Sequence, residues 1–432
     1  MNTPAASAKT KARTRERNAI HVHFLAMTTT DFFQVAIAGA GPVGLSAALA
    51  LADAGVSVQV FETLPGITED LRASTFHPPT LDMLEPYGVT PQLLAQGLIC
   101  PHWQVRMHPG GERAVFDLSV LAGDTGHPYR LQCEQFKLSR ILLERLNAYP
   151  HATVSFNTLV QSVSQNAYGV ELVVGEGDER RGVHSLFMIG ADGARSLARQ
   201  AIGATFEGET YPETSILATT KFLFEDALEG LSHVSYCWRE GAGNFSLLRV
   251  PGRWRVSIYP PEGMDAEDAL ADDKVEAALQ AIVPKTEAYE VLEKRAYRVH
   301  QRIASSYGAG RIWLAGDAAH LNSPAGGMGM NGGVHDALNL SGKLVRILRR
   351  QTGSATPDEI LSLYERQRKP VAQDQIIKQA GANRNRMRER DPTKRFEALH
   401  ALQAITEDPA RLRKHLLASS MIDGVRQAES VV

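Results

Sequence analysis

The chain has 432 residues, room for about three structural units at the usual domain size. Lys+Arg 46 against Asp+Glu 48 leave a net charge of −2, which excludes a global basic field for nucleic acid or an anionic membrane surface. Apolar residues at 44% and charged residues at 22% are ordinary globular usage, and Cys100, Cys133 and Cys237 without a CxxC pair argue against a disulfide scaffold or a cysteine zinc site. A reducing cytoplasm is the expected compartment. The most apolar window, Val43 to Val60, is interrupted by Asp53, so no membrane span is expected.

Residues 1–26 carry Lys9, Lys11, Arg13, Arg15 and Arg17 among Ser, Thr and Ala, without apolar periodicity. They read as a disordered or untranslated tail. A transit peptide is the other reading, and Met27 is a natural start. Phe32 to Ala38 is a short apolar run, read as a buried strand. Pro42 to Ala54 is Ala/Leu-rich and predicts a helix, and Val56 to Phe61 predicts a second strand. Strand, glycine turn, helix and strand in this order make a βαβ unit with a parallel pair.

Between these two predicted strands lies Gly39-Ala40-Gly41-Pro42-Val43-Gly44. Gly39 permits the tight turn, Gly41 lets the backbone approach a pyrophosphate, and Gly44 lets helix and strand pack closely. Glu62 closes the second strand 18 residues after Gly44, where a carboxylate can accept hydrogen bonds from ribose hydroxyls. The acidic residue argues against a 2′-phosphate, so an NAD-like nucleotide or the ADP half of FAD is expected.

Residues 105–130 and 206–295 lack the α/β rhythm and show short alternating runs, such as Ser246 to Val250 and Trp254 to Tyr259, punctuated by Gly and Pro. They predict a mostly antiparallel sheet inserted into the first domain. Residues 266–282 read as one amphipathic helix. Arg311 to His320 then predicts a strand, a turn at Gly316-Asp317 and a helix start, followed by the glycine-rich Pro324 to Asn331. A carboxylate at a strand end can bind a sugar-like hydroxyl, and a glycine-rich helix start can aim N–H groups at an anionic ring edge. Polar helices are expected from about Pro357 onward.

Three motifs occur in order: Gly39–Gly44, Ala191-Asp192-Gly193 running on to Arg199, and Gly316–Asn331. On these the chain resembles the class A flavoprotein aromatic hydroxylases, the 4-hydroxybenzoate hydroxylase-like single-component FAD monooxygenases, over about residues 33–345. The resemblance implies an α/β fold: a Rossmann-like FAD-binding domain from 27–104, 131–205 and 296–350, a substrate-binding sheet domain from 105–130 and 206–295, and a helical region at 351–432. It implies that Gly39, Gly41, Gly44 and Glu62 hold the ADP half of FAD. Arg72 would lie over the pyrophosphate and near the flavin, and Gln135 beside the flavin. Asp317 would bind the ribityl or pyrophosphate region, and the backbone at Gly329, Met330 and Asn331 would face the flavin N1/O2 edge. Asp192 would serve FAD placement, and Arg195 and Arg199 would contact the phosphates of NADH or NADPH. Asp192 as a helix cap and the two arginines as solvated cations are the competing readings.

The family's reaction would follow: NAD(P)H reduces FAD, O2 adds to give a C4a-hydroperoxide, and its terminal oxygen attacks an electron-rich ring. Tyr211 and Pro324 are the candidate catalytic positions, with Pro324 as part of the substrate wall. Tyr236, Trp238 and Arg249 are candidate substrate contacts, and His233 and Tyr259 share their sheet; taken singly, each reads as packing before chemistry. His320 reads as part of a turn, and no histidine has metal-ligand spacing. The expected partners are a small aromatic substrate, O2 and a second copy in a homodimer, with no nucleic acid, membrane or metal. The chain is too short for a thioredoxin-like C-terminal domain, and no Trp-x-Trp-x-Ile-Pro halogenase signature is present. A flavin-dependent reductase or dehydrogenase without oxygen incorporation is the alternative. A non-catalytic, redox-responsive flavoprotein is the third reading.

Overall fold

A computed structural model describes residues 31–70, 72–239, 243–260 and 263–432; the 1–26 tail lies outside the described residues. Strand Asp31–Ala38 is buried over its second half, where Val35, Ala36, Ile37 and Ala38 enter the core. Helix Pro42–Asp53 follows, with Leu45 and every residue from Ala47 to Ala52 buried. A helix apolar all round belongs inside a domain, between layers. Strand Val58–Phe61 then pairs parallel with the first, Val35 opposite Val58 and Ala38 opposite Phe61.

The first sheet runs Gly308–Ala309, Ile312–Leu314, Arg181–Gly190, Asp31–Ala38, Val58–Phe61, Ala152–Ser155. The four pairings from Ile312–Leu314 through to Ala152–Ser155 are parallel, and Val170–Val174 and Val160–Gln165 join antiparallel beside Arg181–Gly190. Asp31–Ala38 is central: the chain leaves it toward Val58–Phe61 on one side and reaches Arg181–Gly190 on the other. Such a reversal of strand order opens a crevice at the carboxyl ends of the strands, where ligands bind in open α/β sheets. Gly39 lies at that crevice.

The second sheet has eight strands, in the order His320–Leu321, Val291–Ala304, Phe206–Thr220, Arg253–Ile258, Phe245–Val250, Val234–Arg239, His102–His108, Arg113–Asp117. Every neighbouring pair is antiparallel except Val234–Arg239 with His102–His108, where Ser235 faces Gln104. Successive strand residues point to opposite faces. Cys237 accordingly joins Phe245, Leu247, Trp254 and helix Asp272–Gln280 in one apolar cluster. Trp238 joins Trp103, Phe116 and, from the C-terminal helices, Met387, Leu399 and Leu416 in another. The sheet is covered on both faces. The fold is the expected α/β domain with an inserted, mostly antiparallel sheet and C-terminal helices.

Two local expectations are corrected. Residues 266–282 form two helices, Ala266–Ala269 and Asp272–Gln280, not one. Lys294 of the underlying strand donates to the Leu270 carbonyl and to Asp272, fastening the chain at the break, and Asp265 caps the first piece. The stretch after Gly316-Asp317 is not a helix start: a single 3₁₀ turn, Gly316–Ala318, gives way to strand His320–Leu321 of the second sheet, and the helix begins at Met328. Ile303 and Arg302 capture this segment as a strand, with Ala304 N–H donating to Ala319. Among the described residues no helix is long and apolar enough to cross a membrane, and no group of three or more His, Cys, Asp or Glu could hold a metal ion.

Candidate active site

The crevice is shaped first by the glycine turn. Gly39 has φ +101, a region L side chains avoid, and a Cβ there would lie 2.3 Å from the Ala191 carbonyl oxygen. At Gly44 a Cβ would lie 1.9 Å from the Gly39 carbonyl oxygen. Both residues are glycine because protein backbone occupies the space. Gly41 differs: a Cβ would meet no protein atom within 4 Å. It is the N-cap of helix Pro42–Asp53 and offers no side-chain hydrogen bond to the first-turn N–H groups. Open space in front of uncapped helix N–H groups, at the positive end of the helix dipole, suits a phosphate. Glu62 flanks this space. Its Oε2 accepts from Ala40 N–H at 2.8 Å and its Oε1 from Leu64 N–H at 2.9 Å, which fixes the carboxylate at the strand end.

Asp317 lies across the crevice at the end of strand Ile312–Leu314. Solvent reaches its side chain, yet it is set deep enough that burial raises its carboxyl, against the pull of His320 and Arg72. Such a group lines a deep, open cleft. Arg72 is exposed and bonded to Asp70 at 2.7 Å, and its carbonyl accepts from Arg255. Gln135 is half-buried and opens helix Gln135–Leu146, its N–H held by the Ala73 carbonyl.

Helix Met328–Leu348 starts at the crevice, also without a side-chain cap. The Asn331 side chain accepts from His77 N–H at 2.9 Å and donates to the Thr75 and Gly327 carbonyls at 2.8 and 2.7 Å. It therefore clamps the helix start to the 75–77 segment, while His77 Nε2 holds the Gly326 carbonyl at 2.8 Å. Gly329 packs on Asn322, so close that a Cβ would lie 2.9 Å from Asn322 Oδ1. Met330 is buried. One turn on, buried Asp336 binds Arg368 at 2.7 Å, His320 at 2.8 Å and Gly316 N–H at 3.2 Å. This joins the 316–318 turn, the glycine-rich helix and helix Pro357–Val371 at a single carboxylate.

The Asp192 segment is more committed to the protein than the resemblance implies. Asp192 Oδ2 accepts from Leu197 and Ala198 N–H at 2.7 and 3.1 Å, capping helix Leu197–Ala201; Oδ1 is buried without a partner. Buried Arg199 donates to the Ala318 and Ala194 carbonyls and stacks 3.8 Å over Phe206. It is not a solvated cation. Arg195 is exposed.

Between the second sheet, the glycine-rich loop and the C-terminal helices lies a cavity of about 230 Å³. Trp103, Val105 and Tyr236 of the sheet form one wall, with Arg130 beside them. Gly326 and Met328 connect it to the crevice, and Asn383, Arg386, Met387 and His415 close it from the C-terminal region. Tyr236 is thus the one named substrate contact on the wall. Trp238 stands behind it, donating from Nε1 to the Arg386 carbonyl at 2.9 Å. Arg249 is elsewhere, paired with Glu225 at 3.5 Å and near Trp254. Tyr211 does not line the cavity; its hydroxyl donates to Gln301 at 2.9 Å and Arg384 covers its ring. Pro324 is exposed and accepts from Gly327 N–H in the loop turn. Sequence reasoning missed Arg130, Arg386 and His415. Nothing local marks any of the three.

The residues present fit FAD. The Gly41 space would take the pyrophosphate, Glu62 stands where a ribose edge would lie, and Asp317 and the Met328 helix start face the same cleft. The FAD binding domain family matches residues 33–380. The chain is 32% identical to para-nitrophenol 4-monooxygenase of Pseudomonas sp. (strain WBC-3), over 93% of this chain and 98% of that protein. It is 31% identical to 6-hydroxy-3-succinoylpyridine 3-monooxygenase of Pseudomonas putida (strain DSM 28022 / S16), over 89% and 96%. Among solved structures, p-nitrophenol 4-monooxygenase of Pseudomonas putida DLL-E4 superposes with a TM-score of 0.84 at 29% identity, covering 92% of this chain and 99% of that one. These relatives are oxygenases, which favours oxygen incorporation over a reductase or dehydrogenase reaction. The chain belongs to the FAD binding domain family and is an FAD-dependent aromatic monooxygenase of the class A flavoprotein type.

Proposed function

We propose that the enzyme hydroxylates a single substituted aromatic or heteroaromatic ring, phenolic or carrying an acid group, with NADH or NADPH as reductant. The observation that carries this reading is the size and place of the cavity. An apolar cavity of about 150 Å³ binds benzene. At about 230 Å³, this one has room for one substituted ring. It meets the crevice at Gly326 and Met328, so a bound ring would lie next to the flavin edge.

Bound FAD supplies electron storage and oxygen activation. The protein's part is placement. The uncapped helix at Gly41 would hold the pyrophosphate, Glu62 a ribose and Asp317 the ribityl chain. Backbone N–H groups at Met330 and Asn331 would face the flavin N1/O2 edge, with Asn331's side chain fixing their position. Trp103, Met328 and Met387 keep water from the ring. The nitrophenol and hydroxypyridine substrates named for the two relatives are single rings, which supports the same scale of substrate here.

The test is NADH or NADPH oxidation and O2 uptake by the FAD-loaded protein under ¹⁸O2, across nitrophenols, hydroxybenzoates and hydroxypyridines. One compound stimulating both, with a single ¹⁸O in its product, is the expected result. Reductant oxidation that yields only hydrogen peroxide with every ring would refute the assignment.

A further inference from the structure

Arg130 lines the cavity and is 3% exposed, yet neither its Nε nor its Nη1 has a hydrogen-bond partner. No carboxylate of the described residues pairs with it. Its guanidinium lies 4.9 Å from the Trp103 ring centroid, stacked instead of neutralised. Trp103 Nε1, on the same wall, is also buried and unpartnered. A second guanidinium enters from the opposite side: Arg386 donates from Nη1 to Asn383 Oδ1 at 3.3 Å and likewise has no carboxylate partner among the described residues. Tyr236, Gln379, His415 and Ser419 supply the rest of the polar lining. Burial, then Arg386 and Arg130, push His415 down to about 4, so it adds no competing positive charge near neutral pH.

A buried guanidinium without a counter-charge is costly to maintain. Here the unmet groups of the lining are two N–H positions of Arg130, the indole N–H and the Ser419 hydroxyl, and every one of them can donate. A cavity whose unmet groups are donors is completed by an acceptor, and one holding two unneutralised guanidiniums is completed by an anion. Arginine matches the planar oxygen pair of a carboxylate in particular, through two parallel N–H bonds.

We infer that Arg130 and Arg386 are the specificity-determining residues of this enzyme: they seat an anionic oxygen substituent of the substrate ring against Trp103, so that anionic rings are substrates and their neutral isosteres are not. This rests on the proposed hydroxylation of a single ring. The apolar remainder of the lining, Val105, Met328 and Met387, would hold the ring itself. Carboxylate and phenolate share the recognising chemistry, and the experiment separates them.

The experiment uses the full-length, FAD-loaded enzyme and reads the perturbation of the flavin absorption spectrum as ring compounds are added. Benzoates are compared with the corresponding benzamides at pH 7.5. Nitrophenols are compared above and below their own ionisation. Tenfold to hundredfold tighter binding of the benzoates assigns a carboxylate. The same preference confined to ionised nitrophenol assigns a phenolate. Either outcome should disappear in Arg130→Met, recover partly in Arg130→Lys, and shrink in Arg386→Gln, with KM changing more than kcat. FAD content checks each variant; should Arg130→Met lose flavin, Arg386→Gln alone must still weaken anion binding about tenfold. Equal binding of anions and neutral isosteres would overturn the inference, even with ¹⁸O incorporation intact. Absence of ¹⁸O incorporation alongside anion-selective binding would instead refute the hydroxylase assignment and leave the anion site standing.

Discussion

Arg368 Nε and Asp336 Oδ1 lie 2.7 Å apart, with side chains 2% and 0% exposed. The pair fastens helix Pro357–Val371 to the glycine-rich helix, and the same carboxylate holds His320 and Gly316 N–H. Burial alone would raise Asp336, but Arg368 and His320 hold it at about 2. Its stabilisation is present above the ordinary carboxyl value of 3.8 and is lost as pH falls toward 2.

Replacing Asp336 with Asn leaves Arg368 charged and buried without a counter-ion. Breaking such a pair costs about 3–5 kcal/mol. Urea unfolding of Asp336→Asn should show a loss of that order. The double variant Asp336→Leu/Arg368→Met should regain most of it, because no charge is then stranded. A double variant no more stable than the single one would show that the pair is not the anchor.

Two neighbouring glycines should fail differently. Gly44→Ala drives a methyl against the Gly39 carbonyl and should destabilise the apoprotein by about 1–3 kcal/mol, the usual range for overpacking. Gly41→Ala meets no protein atom and has an extended backbone at φ −72, so apoprotein stability should change by less than about 0.5 kcal/mol. It should nevertheless weaken FAD binding, since the methyl enters the space assigned to the pyrophosphate. Thermal unfolding of the apoprotein, paired with flavin fluorescence titration, distinguishes the two.

Glu62→Ala removes the acceptor for Ala40 and Leu64 N–H as well as the group assigned to the ribose. Hydrogen bonds to a charged group contribute roughly 1.5–3 kcal/mol, so FAD affinity should fall about tenfold to hundredfold. An unchanged dissociation constant would remove Glu62 from the cofactor site.

Histidines set the acid side of the stability curve. His77 and His335 are pushed down to about 3, and His415 to about 4, each chiefly by burial. The unfolded imidazoles protonate below about 6.5 while the folded ones stay neutral, so the unfolded chain binds more protons as pH drops. Stability is therefore full above about 6.5 and declines toward pH 4, by up to about 1.4 kcal/mol per pH unit for each histidine. Urea midpoints at pH 7, 6 and 5 should fall progressively. A flat profile would show that these side chains are hydrated in solution.

Much of the candidate cofactor cleft is legible in the sequence because its parts are contiguous. Gly39 to Gly44 must turn, cradle and pack within one strand–helix junction, and Glu62 and Asp317 each end a strand. Local backbone requirements of that kind leave glycines and acids at characteristic spacings. The substrate side had no such signature. Tyr211, Trp238 and Arg249 share sheet chemistry with Tyr236, but alternation along a strand cannot say which residue faces a cavity and which contacts its own chain.

By itself the sequence determined the α/β class and the inserted sheet, since periodicity and glycine turns act over a few residues, and its three ordered motifs carried the resemblance that implied the flavin chemistry. Only the tertiary structure decided that Arg130, from a three-residue strand before helix Gln135–Leu146, meets Arg386 and His415 from the C-terminal helices around one small cavity. Arg130 lies more than 250 positions from either of them in the chain. Packing of apolar helix faces on the sheet sets their proximity, and that packing is common to whole elements instead of being marked at the residues it brings together.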